Sequence, residues 1–297
     1  MSLLNLTNDG LPNVLTVLHA AVLRANRPLP RDELLEIVAP SSVVDDEGTQ
    51  ARQTLNRWTE LGLFKLEGDA VTVNERPTAS LSSLDLHQFT RRIACKRVLA
   101  QENNVDLWAT QSARAADLTR SLAWMMVQDV YRASFADFEA QESQQIVDPD
   151  RLLMRNSTRR NGLQYWATFL GFSRHPHAAI DPTVAVRDVL PEILPAGHGM
   201  PAAEFVTRAA WLLPVLDGGL YQEQVLAVVE RQALAPRSPG QLSTAMSRVL
   251  LNLRASGELV LSRKSDTGSA ITLTGAKGAR HDLTFQWISR PPAGVAR

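Results

Sequence analysis

Apolar residues in the first third of the chain recur at helical spacing. After Pro12, a residue suited to a first helical turn, Val14, Leu15, Leu18, Val22 and Ala25 mark one face of a first helix. Pro30 opens a second, with Asp32 and Glu33 opposing the positive end of the helix dipole, Leu34, Leu35 and Val38 on one face, and Pro40 as its stop. A third runs from about Thr49, turns Ala51, Leu55, Trp58 and Leu61 inward, and ends at Gly62, a residue that tolerates a left-handed cap. The period then changes to two. Phe64 to Glu67, a Gly68-Asp69 turn, and Ala70 to Asn74 with Val71 and Val73 alternating read as a hairpin.

The last third repeats this order after a Pro- and Gly-rich linker from Pro191 to Pro201. Ala203 to Leu213 and Tyr221 to Ala233 predict two helices; Ser238-Pro239 opens a third, with Leu242, Met246, Val249, Leu250 and Leu253 inward and Gly257 as its end. Leu259 to Ser262 and Ile271 to Thr274 form the expected hairpin, whose tip runs from Arg263 to Ser269, and Leu283 to Ile288 predicts a further strand. Three helices followed by a hairpin is the winged-helix order. The middle is mostly helical, with long amphipathic runs at Leu84 to Ala100 and Leu118 to Phe138. It carries an echo of the first unit: Leu163 to Phe172, with Trp166 and Gly171, resembles Thr54 to Leu63, with Trp58 and Gly62. Ala179 to Asp181 would follow as a strand and Pro182 to Leu190 as a closing helix.

The expected fold is therefore mainly α with small β-hairpins, an α+β chain. It divides into an N-terminal winged helix (residues 1–79), a helical middle region with a third candidate winged-helix-like unit (80–196), and a C-terminal winged helix with a tail (197–297).

Composition narrows the setting. Forty-four per cent hydrophobic and 21% charged residues suit a chain that buries its own core, and the single cysteine, Cys95, excludes an internal disulfide. No basic leader with a long apolar run opens the sequence, and no apolar stretch reaches the roughly 20 residues that cross a bilayer, so a cytoplasmic protein is expected. The formal net charge is zero, short of the basic balance usual in a dedicated nucleic-acid binder. That zero sums unlike parts, because Arg151, Arg155, Arg159, Arg160 and Arg174 form an acid-free stretch while Asp45, Asp46 and Glu47 cluster elsewhere.

In a helix-turn-helix the second helix of the pair enters the major groove and arginines hold phosphates, so three faces are candidates for double-stranded DNA. On the first unit's third helix, Gln50, Arg52, Gln53, Asn56 and Arg57 suit bases and phosphates, but Asp45, Asp46 and Glu47 guard its start and repel a polyanion. That helix is read as a protein-interaction or secondary DNA face. The C-terminal unit offers Ser243, Thr244, Ser247, Arg248 and Asn252 on an expected open face, with Arg263 and Lys264 on its wing. The middle unit offers Arg155, Arg159 and Arg160 ahead of its helix. The alternatives are a solvated face or a protein contact for the first unit, a solvated hairpin for the C-terminal one, and a charged helix face that binds an acidic protein or nothing for the middle one.

Signatures of catalysis are missing: no phosphate loop ending in Gly-Lys-Ser/Thr, no Gly-x-Ser-x-Gly elbow, no His-Glu-x-x-His pair. His175 and His177 alternate as two ligands on a strand would, without a third at clear spacing, so no metal and no cofactor is expected. Asp148-Pro149-Asp150 reads as a turn and helix cap, Cys95 as a buried structural thiol, and the six tryptophans mostly as core or inter-domain anchors.

Tandem arrays of this kind resemble bacterial transcription regulators and the winged-helix accessory subunits of chromosome-condensing complexes. More specifically, the stretch Leu4-Asn-Leu-Thr-Asn-Asp-Gly-Leu-Pro12, together with Tyr165-Trp166 and Asp181-Pro182-Thr183, is similar to DpdG-type proteins. These belong to bacterial clusters that insert 7-deazaguanine derivatives into DNA and restrict foreign DNA. The resemblance implies a non-enzymatic role beside DNA, with other subunits of a DNA-processing complex as partners, and carries over no catalytic residues.

Overall fold

The computed structural model describes residues 3–4, 11–43, 48–108, 114–154, 156–174, 179–264, 270–292 and 294. About 52% of the chain is helix and 13% strand in small antiparallel sheets, which places it in the α+β class.

The N-terminal elements run α1 (Pro12–Ala25), β1 (Leu29–Pro30), α2 (Arg31–Val38), α3 (Thr49–Glu60), β2 (Phe64–Glu67) and β3 (Ala70–Val73). The sheet order is β1-β3-β2, with β3 in the centre. β1 pairs only Leu29 with Val71 and Pro30 with Ala70. It stays short and at the edge because Pro30 has no N–H to give a ladder. Leu15, Leu18 and Val22 of α1 join Leu34, Leu55, Trp58, Phe64 and Val71 in the core beneath it.

The middle comprises α4 (Ser83–Leu99), α5 (Ala116–Val127), α6 (Phe138–Gln145), α7 (Ser157–Phe169), the short pair β4 (Ser173–Arg174) and β5 (Ala179–Ile180), and α8 (Thr183–Ile193). The helix expected from Leu118 to Phe138 stops at Val127, and α6 begins only at Phe138. Where α5 stops, the buried Gln128 amide donates to the Trp124 carbonyl at 3.1 Å and exchanges hydrogen bonds with Gln145, while the Gln128 carbonyl accepts the Thr244 hydroxyl at 3.0 Å. The freed helix-end groups are thus satisfied by side chains rather than by another turn.

The C-terminal elements are β6 (Gly199–Pro201), α9 (Ala202–Leu212), α10 (Leu220–Leu226), α11 (Thr244–Ala255), β7 (Val260–Ser262), β8 (Ile271–Thr274), β9 (Arg280–Phe285) and β10 (Trp287–Ser289). Their main sheet is β6-β10-β7, again with the last strand in the centre. Met200-Pro201 entering α9 repeats Leu29-Pro30 entering α2, with Met200 and Leu29 both buried. α8 packs on both α9 and α11, so it holds the place that α1 holds at the N-terminus. Several expectations are corrected here. Pro191 to Pro201 is not a bare linker, since it contains the end of α8 and all of β6. The helix over Tyr221 to Ala233 shrinks to α10 and a short 3-10 turn, and α11 begins after the N-cap Ser243 rather than at Pro239. β8 pairs with β9 instead of β7, and the strand expected over Leu283 to Ile288 is split between β9 and β10.

One contiguous apolar core runs from Leu3 to Ile288. The echo between first and middle units becomes physical, because the Trp58 and Trp166 rings meet at 5.3 Å between centroids. No helix among the described residues is long and apolar enough to cross a membrane.

Candidate nucleic-acid interface

The polar face of α11 is closed. Ser243, Thr244 and Ser247 are buried, and each is committed within the chain. The Ser243 backbone N–H donates to Asp217 at 2.6 Å and its Oγ caps the Met246 N–H at 3.0 Å. Thr244 Oγ1 accepts the Val130 N–H at 3.1 Å, and Ser247 Oγ accepts that of Thr274 at 2.8 Å. Arg248 donates to the carbonyls of Val130 at 3.2 Å and Ile180 at 2.7 Å and lies over the Tyr131 ring. Asn252 donates to Asp181 at 3.1 Å and to the Thr183 hydroxyl at 3.0 Å. These residues do lie along one helix as expected, but Thr244, Arg248 and Asn252 meet the middle region, and Ser243 and Ser247 meet Asp217 and Thr274 of the C-terminal elements, instead of solvent. A buried polar group must find a partner, and here the partners are intramolecular.

On α3, Arg52, Gln53 and Asn56 are exposed, and Arg31 donates to Asn56 Oδ1 at 2.8 Å. Gln50 is half-buried, and Arg57, expected outward, is buried with its guanidinium 3.3 Å from Glu60. Asp45, Asp46 and Glu47 lie outside the described residues.

α7 keeps an open face. Its sequence holds no acid, and Ser157, Asn161 and Tyr165, all exposed, follow one another at four-residue intervals on one side. Leu163, Trp166 and Ala167 turn the opposite side into the core. Asn156 caps the start, its Oδ1 accepting the Arg159 N–H at 3.0 Å. The Arg159 side chain donates to the Leu153 carbonyl at 3.3 Å and Arg160 is half-buried, so both stand in the first turn, where the dipole already favours an anion. Arg155, His175 and His177 lie outside the described residues. After β7, Arg263 and Lys264 are exposed. Arg263 Nε donates to the Thr284 carbonyl at 3.1 Å and Lys264 Nζ sits 3.7 Å from the Trp287 ring centroid; residues 265–269 are outside the described residues.

Buried carboxylates hold these faces in place, and sequence reasoning missed them. Asp117 accepts the N–H groups of Leu3 and Leu4 at 3.2 and 2.8 Å. Glu142 accepts those of Leu153 and Met154 at 2.8 and 2.7 Å, fixing the approach to α7. Between them Arg120 donates to the Leu107 carbonyl at 3.0 Å beneath the Trp108 ring; burial pushes its guanidinium down to about 10, still cationic at neutral pH. An acid inside an apolar segment, as in Ala116-Asp117-Leu118, was the one available signal.

Asp148 caps its turn as expected, accepting the Asp150 N–H at 3.0 Å. Cys95 is buried, and burial pushes its thiol up to about 12, which makes it a poor nucleophile at neutral pH. No cluster of three or more His, Cys, Asp or Glu residues suited to a metal occurs among the described residues.

No curated protein and no solved structure matches the chain. The family model described as DpdG-like matches residues 1–267 of the 297. The three stretches that suggested this resemblance sit at junctions of the fold: Leu4 on Asp117, Trp166 on Trp58, and Asp181 and Thr183 on Asn252. The chain belongs to the DpdG-like family, which associates it with the Dpd DNA modification system.

Proposed function

We propose that this chain is a non-catalytic, cytoplasmic, DNA-associated subunit of a bacterial DNA-modification and phage-defence complex, built from winged-helix units, and that α7 is its principal contact with duplex DNA. The observation that carries this reading is the acid-free outer face of α7, with Ser157, Asn161 and Tyr165 aligned beside Arg160 at a capped helix start. Asn and Ser suit base edges or phosphates, Arg suits phosphate, and the helix N-terminus adds backbone N–H donors. Arg263 and Lys264 on the wing supply further phosphate contacts. The two α-turn-sheet repeats with the last strand central support the winged-helix assignment of the terminal units. α11, with its polar face turned inward, serves as internal scaffold instead.

A second reading, a scaffold whose winged helices bind only protein, is favoured by the zero net charge and by the acids preceding α3. Fluorescence anisotropy of a labelled duplex across a salt series separates the two. Phosphate contacts make the affinity fall steeply with salt, and Arg160→Ala is expected to flatten the slope by about one phosphate equivalent. Absence of binding at low salt rejects the DNA reading and leaves the scaffold.

A further inference from the structure

Lys277 lies on the turn between β8 and β9, Arg280 opens β9, and Arg132 stands on the turn that follows α5. One aspartate joins these turns across 148 residues of sequence. Asp129 accepts the Tyr131 N–H at 3.1 Å through Oδ1 and the Lys277 N–H at 2.7 Å through Oδ2, while its carbonyl accepts the Arg132 N–H at 2.9 Å. Arg280 pairs with Thr274 at the mouth of the same β8–β9 turn. The side chains of Arg132, Lys277 and Arg280 are all exposed, and none of them is in an ion pair among the described residues. Lys277 carries a second signal. Its φ of 61° and ψ of 24° lie in the left-handed region, which glycine enters freely and a residue with a β-carbon does not. Glycine would serve the turn better, so stability does not account for a lysine there; residues held in such conformations cluster where ligands are clamped.

The acids nearby are Asp129, half-buried with both oxygens engaged by backbone N–H groups, and Asp282, exposed on β9 two residues beyond Arg280. Unpaired cations presented from hydrogen-bonded turns suit the repeated phosphates of a nucleic-acid backbone, which ask for charge at several points and for no apolar burial. The patch also adjoins the unit that contains α7. Arg248 lies over the Tyr131 ring and donates to the carbonyl of Ile180 in β5, which pairs with the strand that follows α7. We infer that Arg132, Lys277 and Arg280 form a second phosphate-contacting patch for duplex DNA. This rests on the reading of the chain as a DNA-associated subunit, but not on α7 being its contact.

Fluorescence anisotropy of the full chain with a labelled random-sequence duplex across a salt series tests this. Arg132→Ala, Lys277→Gly and Arg280→Ala combined are expected to flatten the log–log salt slope by up to about three phosphate equivalents. Lys277→Gly alone should lose about one equivalent while its melting temperature stays level or rises, because glycine relieves the left-handed backbone. Asp282→Asn should tighten binding at low salt. A lower melting temperature with an unchanged slope in Lys277→Gly would make the lysine structural and overturn its part in the patch. A combined variant with the wild-type slope, where Arg160→Ala flattens it, overturns the patch and leaves α7 in place. The reverse pattern keeps the patch and rejects α7, and a wild type that binds no duplex at low salt overturns both.

Discussion

His19 is fully buried on α1, its Nδ1 bonded to the Thr90 hydroxyl at 2.8 Å and its ring stacked on Phe89, while Nε2 has no partner among the described residues. Burial holds its pKa down at about 4, against 6.5 for an exposed imidazole. The unfolded chain therefore binds a proton that the folded chain refuses. Its contribution to stability is complete above pH 6.5 and is lost as the pH falls toward 4, by up to about 3 kcal/mol. Urea denaturation at successive pH values should show this slope in the wild type and a flatter one in His19→Gln; equal slopes would reject it. Nothing in the spacing of α1 distinguished His19 from a surface residue except its place one step after Leu18, on the inward side of the helix.

At the scale of elements, most helices were legible because their apolar period survives any tertiary arrangement. α1, α2, α3 and the β2–β3 hairpin stand within a residue or two of their sequence-derived limits, since Pro12, Pro30 and Gly62 punctuate them locally. The strands of the C-terminal unit were not legible. β7 and β8 are equally apolar and adjacent in sequence, yet β7 is completed by β10 while β8 turns to β9, a choice between partners that only packing makes. Gly171 shows the same division. Its φ of 86° is the left-handed conformation expected at a helix end, but a β-carbon there would stand 2.6 Å from the Ala185 amide nitrogen, because α7 ends directly on the start of α8. Gly68, in the exposed hairpin turn, has the same hand of φ with open space around it. Thermal melts should place Gly68→Ala about 1–2 kcal/mol below the wild type and Gly171→Ala about 2–5 kcal/mol below. Equal losses would mean that the α7–α8 contact yields without cost.

Across the whole molecule, the face of α11 decides which surface remains for a ligand. Arg248 spans the joint between the C-terminal unit and the middle region through two backbone carbonyls. Its replacement by alanine strands both acceptors and should lower stability by about 1.5–3 kcal/mol. The salt slope of duplex binding should stay at the wild-type value, in contrast to Arg160→Ala. A flattened slope with intact stability would return α11 to the DNA-facing role that its sequence suggested.

The sequence by itself determined most helices, the N-terminal hairpin and the family, because period, punctuation and short motifs are properties of neighbours along the chain. It also brought Ser243, Thr244, Ser247, Arg248 and Asn252 to one side of a helix. Only the tertiary structure decided what that side meets. A Ser, Arg or Asn that binds DNA and one that caps a buried carbonyl have the same chemistry, and the difference lies in whether Asp181, Gln128 and Val130, distant in sequence, are folded against them. On α7, by contrast, Ser157, Asn161 and Tyr165 are exposed.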